Sequence, residues 1–340
     1  MARTAKIAGI AGHVPATVLD NEQLAALYPT WTAEKIYEKT GIRSRHIAAA
    51  DETAGDLAYE AARALFTGGT VAPHNVDFVI LCTQAPDYVL PTTACVLQDR
   101  LGIPTRAGAL DVNLGCSGFV YCLSLAKGLI ESGSANCVLV LTADTYSKYI
   151  HPLDKSVRTL FGDAAAATAV VACDDGQAAI GPFVFGTDGR GAGNLIVEAG
   201  GARTPRSADT AIEQTDASGN VRTRDNLYMA GAEIMAFSLR EVPRAAAALL
   251  DKAQMGTEAI DYFVLHQANR FMLEALRKKL KVSEEQFPIH VEECGNTVSS
   301  TIPLTLAAMR ESGCFDTEKK LMLIGFGVGY SWAGCLLNFK

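Results

Sequence analysis

A short β-branched apolar run, then a Gly or polar turn, then an Ala- and Leu-rich helical stretch recurs along this chain. That alternation constrains the fold more than any other feature. It is clearest in VDFVILCTQ at 76–84 followed by PTTACVLQDRLG at 91–102. Strands without a polar face belong to a sheet covered on both sides, so the rhythm predicts α/β layers around a largely buried sheet. Further strands are expected at 107–113, 136–143, 165–173, 261–267 and 320–327, with a buried helix over 119–132.

The rhythm also echoes itself. Asp77-Phe-Val-Ile-Leu-Cys-Thr-Gln84 lies over Asp261-Tyr-Phe-Val-Leu-His-Gln267, and each is followed by Ala and a helix. With 340 residues, two domains or a duplicated unit of about 170 residues each fit the length. The natural seam is Cys173-Asp-Asp-Gly-Gln177, which divides the chain into halves 1–175 and 176–340. A polar stretch from Gly200 to Asn226 is expected to be a long loop within the second half rather than a linker.

Hydrophobic residues at 49% and charged residues at 20% are enough for a large core and too apolar for disorder. Thirty Lys and Arg against 37 Asp and Glu leave a net charge of −7, which argues against a nucleic-acid partner held through phosphates. No apolar run reaches the length of a membrane span, and no leader is evident, so a soluble cytoplasmic protein with no membrane partner is expected. Nine cysteines, none spaced Cys-x-x-Cys, point to reduced thiols rather than a disulfide framework.

One of those thiols stands out. Asn113-Leu-Gly-Cys116-Ser-Gly-Phe119 sits where a strand ends and a helix begins. Free N–H groups and positive partial charge there are expected to lower the thiol pKa, and Gly115 and Gly118 permit a sharp turn. His266 opens His-Gln-Ala-Asn269 after a strand, and Asn296 follows Cys294-Gly in another turn. A neutral imidazole and an amide hold developing negative charge on a thioester oxygen or enolate. Singly, each has a plainer reading: a structural cysteine, a satisfied core histidine, a helix cap. His290, Glu292 and Cys294 alternate on an expected strand but offer no fourth ligand, so no metal is expected. Gly325-Phe-Gly-Val-Gly-Tyr330 reads as a tight turn presenting N–H groups rather than a nucleotide loop. The helix over 269–281 turns Met272, Leu273, Leu276 and Leu280 inward and Arg270, Arg277, Lys278 and Lys281 outward, as a solvated face or a dock for an acidic partner.

Cys116, His266 and Asn296 occur in that order, with Gly41-Ile-Arg-Ser-Arg-His-Ile47 ahead and Gly325-Phe-Gly-Val-Gly-Tyr-Ser-Trp332 behind. Together with Asp111-Val-Asn-Leu-Gly-Cys-Ser-Gly-Phe119, Leu160-Phe-Gly-Asp163 and Gly295-Asn-Thr297, they make the chain resemble the ketoacyl-acyl-carrier-protein synthase III group of the thiolase superfamily. The resemblance runs over essentially the whole length. It implies a five-layered αβαβα thiolase-like fold, internally duplicated, and a homodimer. It also implies that Cys116 attacks an acyl thioester while its own N–H and that of Val328 hold the oxyanion. A malonyl thioester then loses CO₂, and His266 with Asn296 steadies the enolate that attacks the acyl group. No cofactor is implied; the partners are acyl-carrier-protein or coenzyme A thioesters.

The departures from the group's pattern bear on substrate. Lys35 and Lys39 stand where a Trp and an Arg sandwich the adenine of coenzyme A, removing a stacking platform. Phe271 replaces an Arg beside Arg270, so contacts of the donor or carrier with Lys35, Lys39, Arg270 and Arg277 are expected to be rearranged. Phe326 and Leu90 match acyl-pocket positions, and Leu90, where Phe is common, favours a somewhat larger acyl group. The expected function is decarboxylative condensation in fatty acid initiation or a specialised pathway. The alternatives are acyl transfer to an O or N nucleophile, a non-catalytic scaffold, and a cysteine hydrolase.

Overall fold

The computed structural model describes residues 3–173 and 179–339. The chain enters on β1 (Thr4–His13), then β2 (Thr17–Asp20), α1 (Asn21–Leu27), α2 (Ala33–Thr40) and β3 (Ser44–Ile47). The first half continues with α3 (Ala54–Thr67), β4 (Phe78–Cys82), α4 (Thr93–Arg100), β5 (Gly108–Val112), α5 (Gly118–Glu131), β6 (Cys137–Asp144), α6 (Lys155–Arg158) and β7 (Ala164–Cys173). The second runs β8 (Ile180–Thr187), the short strands β9 (Leu195–Val197), β10 (Gln214–Thr215), β11 (Val221–Arg222) and β12 (Leu227–Met229), then α7 (Gly231–Ala253) and β13 (Tyr262–Leu265). It closes with α8 (Arg270–Leu280), α9 (Thr301–Glu311), β14 (Lys319–Gly327) and β15 (Ser331–Phe339).

Two mixed sheets carry the duplication. The first has the order β1-β7-β6-β4-β5 and the second, read from the same end, β8-β15-β14-β13. The strand senses match pair for pair: antiparallel, antiparallel, then parallel. The echo in the sequence is therefore β4 against β13. The opening aspartates even make the same bonds, Asp77 accepting from the Asn136 N–H at 2.8 Å and Asp261 from the Lys320 N–H at 2.7 Å, each at the start of the neighbouring strand.

Helices α3 and α4 pack on the outer face of the first sheet, α7 and α8 on that of the second, and α5 and α9 lie between the sheets. This is the five-layered αβαβα arrangement. Every residue of β6 is buried; Cys137, Leu139 and Leu141 face the outer helices while Val138 and Val140 face the middle layer. The central helix α5 buries Phe119, Val120, Cys122, Leu123, Ala126 and Ile130. Each large apolar side chain of that set contributes about 1.5–3 kcal/mol by leaving water. That explains why the 119–132 segment is apolar on nearly every side.

Cys173 ends β7, but the rest of the expected seam, and with it the boundary between 1–175 and 176–340, lies outside the described residues. The 200–226 stretch is not featureless. It contains the β10–β11 ribbon and is tied down by Arg222, whose guanidinium bonds Asp154 at 2.7 Å and Asp216 at 2.9 Å. The strand expected through His290 to Cys294 is instead a turn, with the Cys294 thiol donating to the His290 carbonyl at 3.1 Å. Local hydrogen bonding overrides the alternation there. All nine cysteines are free thiols, and among the described residues no helix is long and apolar enough to cross a membrane.

Candidate active site

Cys116 lies in the turn joining β5 to α5 and is only 4% exposed. The turn closes with the Gly118 N–H donating to the Gly115 carbonyl at 2.8 Å. A Cβ on Gly325 would fall 2.6 Å from the Cys116 carbonyl oxygen and 2.7 Å from the Ser117 Cα, and one on Gly327 would fall 2.8 Å from the Cys116 Sγ. The glycines of Gly325-Phe-Gly327 thus exist so that β14 of the second sheet can press against the turn that carries the nucleophile. Side chains alternate across a strand, so Phe326 points the other way.

Burial pushes the Cys116 thiol up to about 12, and the nearby Asp144 carboxylate pushes in the same direction. The N–H groups of Val328 and of Cys116 itself bond the sulfur and act against this, but they do not win. The expected lowering at the helix start is therefore overturned: at a thiol this deeply buried, desolvation of the thiolate outweighs the partial charge of the turn.

His266 follows β13. The parallel register pairs Leu265 with Ile324, and the His266 N–H donates to the Ile324 carbonyl at 2.9 Å, so the imidazole stands beside the Gly325–Gly327 segment. Its Nδ1 is 2.8 Å from the Thr301 hydroxyl, and its ring meets Phe326 edge-on at 5.5 Å. Burial holds its pKa down to about 3, so the ring is neutral. A neutral thiol beside a neutral imidazole is the opposite of the thiolate–imidazolium pair used by many cysteine hydrolases.

Asn296 is bridged to Phe161, donating its N–H to the Leu160 carbonyl at 2.9 Å and accepting from the Gly162 N–H at 3.0 Å. Its Oδ1 accepts from the Val298 N–H at 2.9 Å, so the carboxamide nitrogen is the group left to donate. Asn296 is not the helix cap its sequence context suggested, since the cap positions of the segments that follow are Thr297 and Ser300; its side chain instead braces the turn, and the residue lines the site. Val298 pays for that turn with a left-handed backbone, φ 55°, unusual for a β-branched residue.

Cys116, His266, Asn296 and Phe326 line one predominantly apolar cavity of about 270 Å³, whose other walls include Leu160, Phe161, Leu195, Met229, Ile234 and Met272. Trp31, Lys39, Lys155, Asn269 and Phe271 line it as well. The loss of an aromatic platform expected from Lys35 and Lys39 is thereby corrected. Trp31 supplies an indole, with the Lys35 and Lys39 ammonium groups 5.7 and 5.6 Å from its ring centre. Lys35 does not line the cavity; its Nζ donates to the Thr30 carbonyl at 3.0 Å. Arg270 is turned to Glu292 at 3.3 Å. Arg277 is taken up by Glu274 at 2.8 Å and Glu284 at 2.9 Å, and neither arginine lines the cavity. Leu90 is 79% exposed and absent from the cavity of its own chain. Trp31, Lys155 and Thr301 were missed in the sequence; only the rarity of tryptophan, two in the chain, offered a signal.

Beta-ketoacyl-[acyl-carrier-protein] synthase III of Lactococcus lactis subsp. lactis is 36% identical over 336 residues, covering 98% of this chain and 99% of its own. The chain belongs to the 3-oxoacyl-[acyl-carrier-protein] synthase III family. The family's models match residues 110–189 and, for its C-terminal part, 250–339. A crystal structure of a 3-oxoacyl-(acyl-carrier-protein) synthase III superposes with a TM-score of 0.98 at 70% identity, over 99% of this chain and 100% of that one. The priming β-ketosynthase of the R1128 polyketide pathway superposes at 0.87 with 31% identity, over 99% and 97%. As a synthase III the protein is an acyltransferase that carries out decarboxylative condensation. The hydrolase and scaffold readings are set aside.

Proposed function

We propose that Cys116 accepts the acyl group, that His266 and Asn296 serve the condensation, and that the N–H groups of Cys116 and Val328 hold the oxyanion. The observation that supports this most is the meeting of all three side chains in one apolar cavity. The thiol attacks the acyl carbonyl, and the carrier thiol leaves with the proton. A malonyl thioester then binds in the same channel. Its carbon–carbon bond breaks, CO₂ departs, and the electron pair becomes an enolate facing the Asn296 amide and the His266 Nε2. The enolate carbon attacks the acyl-Cys116 carbonyl, a 3-ketoacyl thioester forms, and the Cys116 sulfur leaves to be reprotonated. The apolar walls keep water from the acyl-enzyme.

The donor's phosphate-bearing arm, from coenzyme A or an acyl carrier protein, enters past Trp31, Lys39 and Lys155. The protein acts as a homodimer in the cytoplasm, its two halves 1–175 and 176–340 forming the thiolase-like units. Leu90 reaches the partner's acyl site. The apolar, exposed run of Tyr88, Val89 and Leu90 favours that reading.

The test is to follow acylation and condensation separately in His266→Ala and Asn296→Ala. Both variants are expected to keep acyl adducts on Cys116 in intact-mass spectra while losing at least about 100-fold in condensation and in malonyl decarboxylation. Loss of acylation in both folded variants contradicts this division of labour.

A further inference from the structure

Three side chains outside the lining of that cavity converge on Gly115, the residue before the nucleophile. A Cβ there would lie 2.5 Å from Gln84 Oε1, 2.9 Å from Val328 Cγ1 and 3.2 Å from Val298 Cγ1. Two of the three are apolar, and one is a carboxamide.

Gln84 is held at several points. Its N–H donates to Asp144 Oδ1 at 2.8 Å, its carbonyl accepts from the Tyr149 hydroxyl at 3.1 Å, and its Oε1 accepts from the Tyr146 hydroxyl at 2.6 Å. Tyr146 is buried and needs that acceptor, which fixes which end of the amide faces it. The Oε1 is thus committed, while Nε2 donates to none of the described residues and the side chain as a whole is half-buried. The carboxamide stands next to the turn that carries Cys116, with its bonded Oε1 the atom nearest Gly115.

We propose that Gln84 selects the acyl group: its Nε2 donates to an oxygen on the acyl chain, so the enzyme is primed by a short thioester bearing a hydroxyl or keto group in preference to an alkyl chain of equal length. The proposal rests on Cys116 being the acylated residue. Val298 and Val328 crowd the same spot and keep the acyl group short. Asp144, bonded to the Gln84 backbone, places a carboxyl group beside it, which disfavours an acyl group ending in a carboxylate. An alkyl chain would meet the amide with nothing to accept its hydrogens, and a site built around such a donor discriminates against a substrate that lacks the acceptor.

The experiment is a rate comparison by intact mass of Cys116 acylation from butyryl-, 3-hydroxybutyryl- and 4-hydroxybutyryl-coenzyme A. The wild-type protein is expected to take the better hydroxyacyl donor at least about tenfold faster than butyryl. Gln84→Met, similar in length without the donor, is expected to bring the ratio to within about twofold, mainly by speeding butyryl. Tyr146→Phe, which frees the carboxamide to rotate, should lower the ratio part-way and serves if the Met variant does not fold. A wild-type preference for butyryl, or a ratio unchanged in folded Gln84→Met, overturns the proposal. Labelling of Cys116 by none of the three, with labelling by no other acyl thioester either, overturns the acyl-enzyme reading instead.

Discussion

At the scale of single residues, the site holds its reactive proton tightly. With the Cys116 thiol near 12 and His266 near 3, the thiolate is a small fraction of the sulfur at neutral pH and grows tenfold per pH unit. The rate of Cys116 acylation is expected to climb with a slope of about one in log rate from pH 6 to 9, without the plateau near 8.5 of an ordinary thiol. Because His266 is neutral throughout that range, no inflection near 6.5 should appear in condensation. Stopped-flow acylation over pH checks the first and condensation rates over the same range check the second; a plateau in acylation below 9 contradicts the desolvated thiol. Cys116, His266 and Asn296 were legible in the sequence because each sits at a strand end beside glycine or in a polar motif that core packing does not require. Trp31, Thr301 and Gln84 were not, because their significance depends on which distant segments meet. Thr301 matters only once α9 starts beside His266, and no local pattern states that.

At the scale of elements, the motif His266-Gln-Ala-Asn269 does two jobs. The Asn269 side chain caps α8 by accepting from the Met272 N–H at 2.9 Å while the residue lines the cavity. Asn269→Ala should lower stability by about 0.5–2 kcal/mol and Asn269→Asp should retain most of it. Urea denaturation distinguishes them, and equal stability of all three proteins contradicts the capping role. The strands and helices that alternation announced, β4 to β7, β13 and β14 with α4, α5 and α8, form within one or two residues of expectation. Elements that alternation did not announce have identifiable reasons. Edge strand β8 carries Gly181 and Pro182, which read as a break and are tolerated because an edge strand has an unpaired side. The longest helix, α7, holds Pro243 in its interior, where local preference argues against a helix and packing against β14 and β15 overrides it.

At the scale of the whole molecule, the exposed Tyr88-Val89-Leu90 tip, with Val89 fully exposed, is expected to be covered by a second copy. Light scattering at micromolar concentration should give twice the chain mass, and Leu90→Asp should yield monomer or a several-fold slower acylation. A wild-type monomer contradicts the homodimer. The duplication was visible in the sequence only as β4 echoing β13; the rest of the correspondence lies in strand order and sense, which residues two halves apart do not spell out. The close approach of Gly325 and Gly327 to the Cys116 turn has a consequence for how this chain tolerates change. Neither half owns the reactive centre: a methyl group added to a strand near residue 325 strikes a loop more than 200 positions earlier. Substitutions on the two sides of that contact therefore have to drift together or not at all, so the two copies stay locked to one another where the backbone of one touches the sulfur of the other.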